Sequence, residues 1–339
     1  MIITKTPFRM SFFGGGTDLP EFYRENGGAV LSTTFDKYCY VNIRHLPRFF
    51  DYTTELVYAN IERVTSLDDI QHPLIRNAMK LLDMHEIRLT YEADLPARTG
   101  LGTSSSFAVG LLNAFYAMKG KYADKRMLAD QAIHVERVMC AEAGGLQDQI
   151  AAAFGGFNRI DFTANDYDVR PIIMAPERKQ QLDDNLMLFY TGISRFSSQV
   201  QTNTVRAIGK KEKLAQLREM HTMVDIAEQL LTDKGSDLND FGRLLHETWV
   251  LKRGISAGIS TDNIDELYER ARMAGALGGK LLGAGGGGFL LFYAEKDKQE
   301  AVLHALSELM YVPFQFENGG SRVIYYAPEV YEMDGSARD

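Results

Sequence analysis

The chain has 339 residues, of which 45% are hydrophobic and 24% charged, a composition typical of globular proteins with a large buried core. Its 37 Lys and Arg against 45 Asp and Glu leave a net charge of −8, which argues against nucleic-acid and anionic-membrane binding. Two cysteines and the lack of a long apolar stretch predict a cytoplasmic protein with no signal peptide, membrane span or disulfide framework.

The first half of the chain predicts strands and helices around two glycine-rich loops. Alternating side chains indicate strands, whereas apolar residues three or four apart indicate helices. The predicted elements are a strand that ends at a glycine turn at 14–16, strands at 38–43 and 87–93, a loop at 95–106, and helices at 107–118, 127–140 and 146–154. The Gly-Gly pair at 144–145 separates the last two helices.

The second half predicts a second lobe, because the chain is longer than the usual single core. The predicted elements are strands at 185–190 and 289–293, helices at 210–232, 237–253, 264–274 and 298–310, a glycine loop at 283–288, and strands at 312–316 and 321–326. This order predicts an α+β fold in two lobes, 1–175 and 176–339.

The loop at 100–106 has two glycines followed by four hydroxyl residues and then a predicted helix. Glycines let backbone N–H groups approach a phosphate, and a helix N-terminus adds unpaired donors. A hydroxyl there is also a suitable ligand for Mg²⁺. The pattern therefore predicts a phosphate-binding loop, although helix capping by Thr103 or Ser104 is the simpler alternative.

The third glycine loop, at 283–288, contains a GxGxxG sequence. A dinucleotide-binding fold needs a strand before this sequence and a helix after it. Here the predicted helix precedes the glycines and the strand follows them, so a Rossmann fold is excluded. A Walker A loop is excluded as well, because Lys280 is followed by Leu281 where that motif needs Ser or Thr.

Two acidic residues, Glu136 and Asp148, flank the Gly-Gly break. Magnesium-dependent phosphoryl transfer needs oxygen ligands for the ion and an acid near the attacking hydroxyl. Solvated helix charges are the alternative that the spacing leaves open. His134 and Glu136 form an HxE triplet, but Cys140 has no second cysteine beside it, which argues against a zinc deaminase site.

Three motifs together resemble the GHMP kinases, the family of galactokinase, homoserine kinase, mevalonate kinase and phosphomevalonate kinase. They are PFRMSFFGGGTD at 7–18, PARTGLGTSS at 96–105 and KLLGAGGGG at 280–288. The resemblance implies a two-lobed fold with a first lobe like domain 2 of ribosomal protein S5 and a ferredoxin-like second lobe. ATP, Mg²⁺ and a small-molecule substrate would bind between them.

The resemblance also implies a role for each matching residue. Asp148 would be the catalytic acid, with Arg9 beside it, and a positive charge stabilises the ionised form of a neighbouring carboxylate. Ser104 and Glu136 would hold Mg²⁺. The ATP phosphates would be bound by Gly100, Leu101, Gly102, Thr103, Ser104 and Ser105, and the substrate by Gly16, Thr17, Asp18 and Gly286.

The substrate is less clearly indicated than the chemistry. The motifs most resemble the branch of the family that phosphorylates the anomeric hydroxyl of heptose 7-phosphate. Gly15 and Gly16 replace the Glu-His of galactokinases, which implies a roomier pocket, and Arg98 and Arg195 are cations that would suit a sugar phosphate. Another sugar such as L-fucose, or a non-catalytic sugar- and ATP-binding regulator, stays open. The sequence does not indicate an oligomeric state.

Overall fold

The computed structural model describes residues 1–193, 211–256 and 258–328. Within these ranges no helix combines the length and the apolar character that crossing a membrane requires. The described chain forms a nine-stranded sheet and a four-stranded sheet, each covered by helices. The predicted α+β class in two lobes is therefore confirmed.

The first sheet is built around one long central strand, β2. Its strands are β1 (Ile2–Phe13), β2 (Gly28–His45), β3 (Thr54–Val57), β4 (Ile61–Val64), β5 (Ile87–Ala93), β6 (Phe157–Phe162), β7 (Tyr167–Pro171), β12 (Phe316–Glu317) and β13 (Arg322–Tyr326). Strand β2 pairs with β1, β5, β6 and β12, and all pairs except β3 with β5 are antiparallel. The main strand order is β13-β1-β2-β5-β3-β4.

The helices of the first lobe include an almost wholly buried one that begins at Thr103. It starts inside the loop at 100–106 that is predicted to bind phosphate, called the phosphate-loop sequence below. The helices are α1 (Pro20–Asn26), α2 (Pro73–Leu81), α3 (Thr103–Met118), α4 (Lys125–Ile133) and α5 (Gln147–Phe154), and a π-helix (His134–Met139) continues α4. Helix α3 packs on β1 and β2. It approaches β1 closely at Gly110, where a Cβ would lie 2.8 Å from Thr6 Oγ1.

The second lobe has a fully antiparallel sheet in the order β11-β8-β10-β9. Its elements are α6 (Pro176–Asp184), β8 (Leu186–Tyr190), α7 (Lys211–Thr232), α8 (Asn239–Arg253), α9 (Asp262–Met273), β9 (Gly278–Leu281), β10 (Phe289–Tyr293), α10 (Lys296–Ala305) and β11 (Met310–Tyr311). Helix α8 and strand β9 touch at Gly242 and Gly278. Only glycine fits at position 278, because a Cβ there would lie 1.9 Å from Gly242 O.

A shared apolar core joins the two lobes. The end of β1 contributes Phe12 and Phe13, whose rings meet Phe241 of α8 at centroid distances of 5.4 and 5.1 Å. Leu188, Leu291 and other buried residues of the second sheet belong to the same cluster. Apolar burial of this kind contributes about 25 cal/mol per Å², so this shared cluster stabilises the packing of the two lobes.

The last described strands return to the first sheet. Ile2 of β1 pairs with Tyr326 of β13, and Thr6 Oγ1 lies 2.8 Å from Ser321 Oγ. Phe316 of β12 pairs with Phe35 of β2. The division into 1–175 and 176–339 stays a prediction. Strands β12 and β13 follow the second lobe in the chain but belong to the first sheet.

Candidate active site

Arg9 and Asp148 form an ion pair between β1 and the first turn of α5. Both Nε and Nη2 of Arg9 lie 2.7 Å from Oδ1 of Asp148, and Nη1 donates to Gly100 O at 2.8 Å. Arg9 is buried, whereas the Asp148 side chain is 24% exposed. The arginine thus ties a partly open carboxylate to the backbone of the phosphate-loop sequence.

Asp18 lies beside this pair, at the N-terminus of α5. Its carboxylate accepts hydrogen bonds from the N–H groups of Gly16, at 2.9 Å, and Gln147, at 3.3 Å. Burial raises the pKa of Asp18, and the charge of Asp148 raises it further, while the two N–H donors act in the opposite direction. Gly145 is needed here because a Cβ would lie 1.8 Å from Asp18 Oδ2.

The loop before α3 has the backbone that a phosphate loop needs. Gly100 and Gly102 have φ angles of +82° and +72°, which favour glycine. Leu101 is buried, and its carbonyl accepts from the backbone N–H of Arg9 at 3.2 Å. Thr103 is the first residue of α3, so the helix N-terminus with its unpaired N–H groups opens at this loop.

Glu136 is buried beneath the same loop and binds three side chains. Ser104 Oγ donates to Oε1 at 2.8 Å, and Ser105 Oγ donates to Oε2 at 2.7 Å. Gln149 Nε2 of α5 also donates to Oε2, at 2.5 Å. Glu136 lies in the π-helix, a local widening that often occurs at functional sites. Ser104 itself is exposed.

The third glycine loop packs directly on the phosphate-loop sequence. A Cβ at Gly283 would lie 2.3 Å from Gly100 Cα, and one at Gly288 would lie 2.1 Å from Thr99 O. Gly286 is buried in this loop, and its N–H donates to Ile259 O at 3.0 Å. The two glycine loops are therefore in direct backbone contact.

The other predicted substrate-binding residues have different surroundings. Gly16 orients Asp18 through its N–H. The Thr17 hydroxyl is fully buried and bonds to the backbone of Gly14 and Ala29. Arg98 is exposed with a φ of +63°, and its charge acts on His72 at the start of α2. Arg195 lies outside the described residues. Their roles as substrate contacts stay predictions.

Several buried polar residues, some in the site and some in the packing around it, were not predicted from the sequence. Ser11 Oγ and Gln147 Oε1 are buried without a hydrogen-bond partner, and both side chains lie near Gly15, whose Cβ would be 3.7 Å from Ser11 Oγ and 3.9 Å from Gln147 Nε2. Lys252 and Lys280 are buried lysines of the second lobe. For Lys252 a signal existed, since it follows Thr248 and Trp249 at the spacing of the buried face of α8.

Comparison with known proteins identifies the family. The model of the GHMP kinases N terminal domain matches residues 73–156, and that of the GHMP kinases C terminal matches 226–312. Together they cover about half of the chain. With the fold and loops described above, these matches define the class as an ATP-dependent phosphotransferase. Within that class, the chain belongs to the GHMP kinases.

Three relatives show how far the similarity extends. A D-glycero-alpha-D-manno-heptose 7-phosphate kinase of Campylobacter jejuni is 28% identical over 90% of this chain and 93% of its own length. An L-fucokinase/L-fucose-1-P guanylyltransferase of Bacteroides fragilis is 25% identical over 88% of this chain, which spans only 35% of that protein. A D-glycero-D-manno-heptose 1-phosphate kinase structure from Bacteroides thetaiotaomicron has a TM-score of 0.70 and 26% identity, covering 95% of this chain and 98% of that one.

Proposed function

We propose that this kinase transfers the γ-phosphoryl group of ATP to the anomeric C1 hydroxyl of D-glycero-D-manno-heptose 7-phosphate. The product would be the 1,7-bisphosphate, made in the cytoplasm for the synthesis of nucleotide-activated heptose. The observation that carries the proposal is the Arg9–Asp148 pair beside Asp18, at the edge of the two glycine loops. The heptose-phosphate relatives support the choice of acceptor.

In the proposed reaction Asp148 accepts the proton of the acceptor hydroxyl. Its carboxylate is open enough to meet a ligand, whereas Arg9 is buried and holds it through two nitrogens. Arg9 also binds Gly100 O, so the carboxylate keeps a defined position relative to the phosphate loop. A positioned acid or base of this kind contributes about 10²–10⁴-fold to a rate.

The phosphate loop is suited to ATP with Mg²⁺. The described ranges contain no group of three or more His, Cys, Asp and Glu side chains that could hold a metal ion, but Mg²⁺ is usually held by one or two protein oxygens together with substrate phosphates. Glu136 and Ser104, 2.8 Å apart, offer such a pair at the N-terminus of α3. When bound there, Mg²⁺ would neutralise charge on the phosphates. The amides of 100–105 would orient them.

The acceptor pocket has the groups that a polyhydroxylated molecule needs. Asp18 is a buried carboxylate, and Ser11 Oγ and Gln147 Oε1 are buried without partners. Unpaired buried polar atoms are unfavourable by about 1–3 kcal/mol, so hydroxyl groups of a ligand would stabilise them. A Cβ at Gly15 would be in van der Waals contact with both side chains, so the backbone of the glycine turn lies next to them.

The test is an ADP-release assay with Mg²⁺, ATP and a panel of acceptors. Because the two heptose-phosphate relatives are named for phosphates at different positions, C7 and C1, the panel includes heptose 7-phosphate and heptose 1-phosphate. Unphosphorylated mannoheptose, L-fucose and galactose complete it. A kcat/KM for heptose 7-phosphate at least tenfold above the others supports the proposal. A preference for any other acceptor, with product identified by NMR, would overturn it.

L-fucose is the second candidate acceptor, because a fucokinase is among the relatives. A free sugar carries no phosphate, so its recognition would not need an additional cation, such as Arg98, to bind one. The panel separates the two directly: a fucose kinase would favour L-fucose over both heptose phosphates.

A further inference from the structure

Lys252 is a buried lysine whose ammonium group lies at the third glycine loop. It occupies the last turn of α8, and Nζ donates to Gly283 O at 2.6 Å. An ammonium has three donors, and this is the one hydrogen bond that the side chain makes within the described ranges. No carboxylate there forms an ion pair with it. A buried charge without such a partner is unfavourable, so the position calls for a functional explanation.

The surroundings of Lys252 connect it to the reaction centre. Gly283, which accepts its hydrogen bond, touches Gly100, whose carbonyl accepts from Arg9. The pKa of Lys252 is lowered to about 8, first by burial and then by the positive charge of Arg9, while the charges of Asp18 and Asp148 act in the opposite direction. Lys280 of β9 is the other charged group that interacts with it. Lys252 thus lies within electrostatic range of both acids proposed to contact the acceptor.

We propose that Lys252 is a catalytic residue that binds the phosphoryl group while it passes from ATP to the acceptor. The inference rests on the roles proposed above for Arg9 and Asp148, but not on the identity of the sugar. The acceptor oxygen forms a bond to the γ-phosphorus, and the bond from that phosphorus to the leaving oxygen breaks. Its electron pair stays with ADP, and the hydroxyl proton passes to Asp148.

In this step Lys252 stays protonated and donates hydrogen bonds to the non-bridging phosphoryl oxygens. Negative charge on these oxygens supplies the partner that the buried ammonium lacks. Preorganised donors in a water-poor site are effective because they need no reorganisation during the reaction. Removal of one such donor lowers kcat by about 10²–10³-fold.

Lys280 provides a matched contrast. It is also buried, and its Nζ donates to Phe12 O at 2.7 Å. The charges that act on it are the two cations Lys252 and Arg9, with no carboxylate among them. This lysine ties β9 to the end of β1, which gives it a place in the packing between the lobes.

The experiment compares K252M, K252R and K280M with the wild-type protein, using whichever acceptor the wild type prefers. We expect K252M to lower kcat by about 10²–10³-fold, with the acceptor KM changed less than about threefold. K280M loses thermal stability and keeps its kcat within about fivefold. The wild-type kcat/KM falls as the pH rises through about 8, because the free enzyme loses the ammonium form. K280M retains this decline, and K252R, which stays charged, does not show it.

The pH comparison uses folded wild-type protein, so it is informative even where K252M does not fold. A K252M kcat within threefold of wild type would overturn the inference. So would a rise in KM confined to phosphorylated acceptors, which would make Lys252 a clamp for the substrate's own phosphate. A wild-type protein that prefers another sugar overturns the proposed acceptor and leaves this comparison intact.

Discussion

Gly100 and Gly283 touch through their backbones, and the carbonyl of each accepts a hydrogen bond from a buried cation. Arg9 binds Gly100 O, and Lys252 binds Gly283 O. A Cβ at Gly283 would lie 2.3 Å from Gly100 Cα. The contact between two glycines, one from each lobe, therefore sets how far apart the two cations are held.

Gly283→Ala should separate the two loops. The left-handed backbone, with a φ of +82°, costs about 1–2 kcal/mol with a side chain, and the overlap adds about 1–3 kcal/mol. We expect urea unfolding to show this loss, and kcat to fall about 10²-fold because misplacement of about 1 Å has effects of that size. Gly120→Ala is the control, since Gly120 has a φ of +66° and open space around it. Equal kcat values in the two variants would contradict the prediction.

Asp148→Asn should abolish the proton acceptor while preserving the shape of the site. We expect kcat to fall about 10²–10⁴-fold and the Kd of ATP, measured by calorimetry, to stay nearly unchanged. Asp161→Asn is a suitable control, because Asp161 also pairs with an arginine, Arg159, and is similarly exposed but lies outside the site. Near-normal turnover of Asp148→Asn would remove Asp148 from the mechanism.

Asp18→Asn should weaken acceptor binding and change how stability depends on pH. Because burial raises the pKa of Asp18, this carboxyl binds its proton more tightly in the folded than in the unfolded chain. Its contribution to stability therefore falls as the pH rises through its folded pKa. We expect the Tm of Asp18→Asn minus that of the wild type to increase between pH 4 and pH 7.

Asparagine has one acceptor oxygen where aspartate has two, and this loss shifts the Tm by a constant amount at every pH. The informative quantity is therefore the slope of the Tm difference against pH. A Tm difference that stays constant over this range would argue against a buried charge at Asp18. In the same variant the acceptor KM should rise about 10–100-fold, since hydrogen bonds to charged groups contribute about 1.5–3 kcal/mol. The readout is steady-state kinetics at pH 7.

Gln149→Leu should alter the use of Mg²⁺ without touching the acceptor. Gln149 Nε2 donates to Oε2 of Glu136, the proposed metal ligand. Loss of a group that orients a metal ligand typically lowers metal affinity or activity by about 10–100-fold. We expect the half-saturating Mg²⁺ concentration to rise about tenfold or more, with the acceptor KM unchanged. Gln299→Leu, which removes a glutamine bound to Asp184 O in the second lobe, should leave the Mg²⁺ dependence as it is.

Regular periodicity allowed some elements to be predicted well. The strand predicted at 87–93 is β5, and the helix predicted at 210–232 corresponds to α7, Lys211–Thr232. Strand β2 was predicted only at its end, because residues 28–35 are buried without alternation. Three helices, α1, α2 and α6, were not predicted, although each has proline at its first position.

The candidate site depended on resemblance more than on pattern. Nothing in the spacing brings Arg9 and Asp148 together over 139 positions, and the motifs of the family predicted their contact. Lys252 could not be predicted with the same ease, since lysine on a helix is usually exposed. Its spacing places it on the buried face of α8, but its contact with the third glycine loop is shown only by the tertiary structure.

The return of β12 and β13 to the first sheet has a consequence for synthesis on the ribosome. Until residues 322–326 emerge, β1 lacks its neighbour on one side, and an unpaired edge strand is prone to wrong pairing. The first lobe therefore cannot complete its sheet until the second lobe has been synthesised, even though most of its strands come early. Such distant pairing slows folding, and expression of residues 1–175 alone would yield a fragment with an open edge.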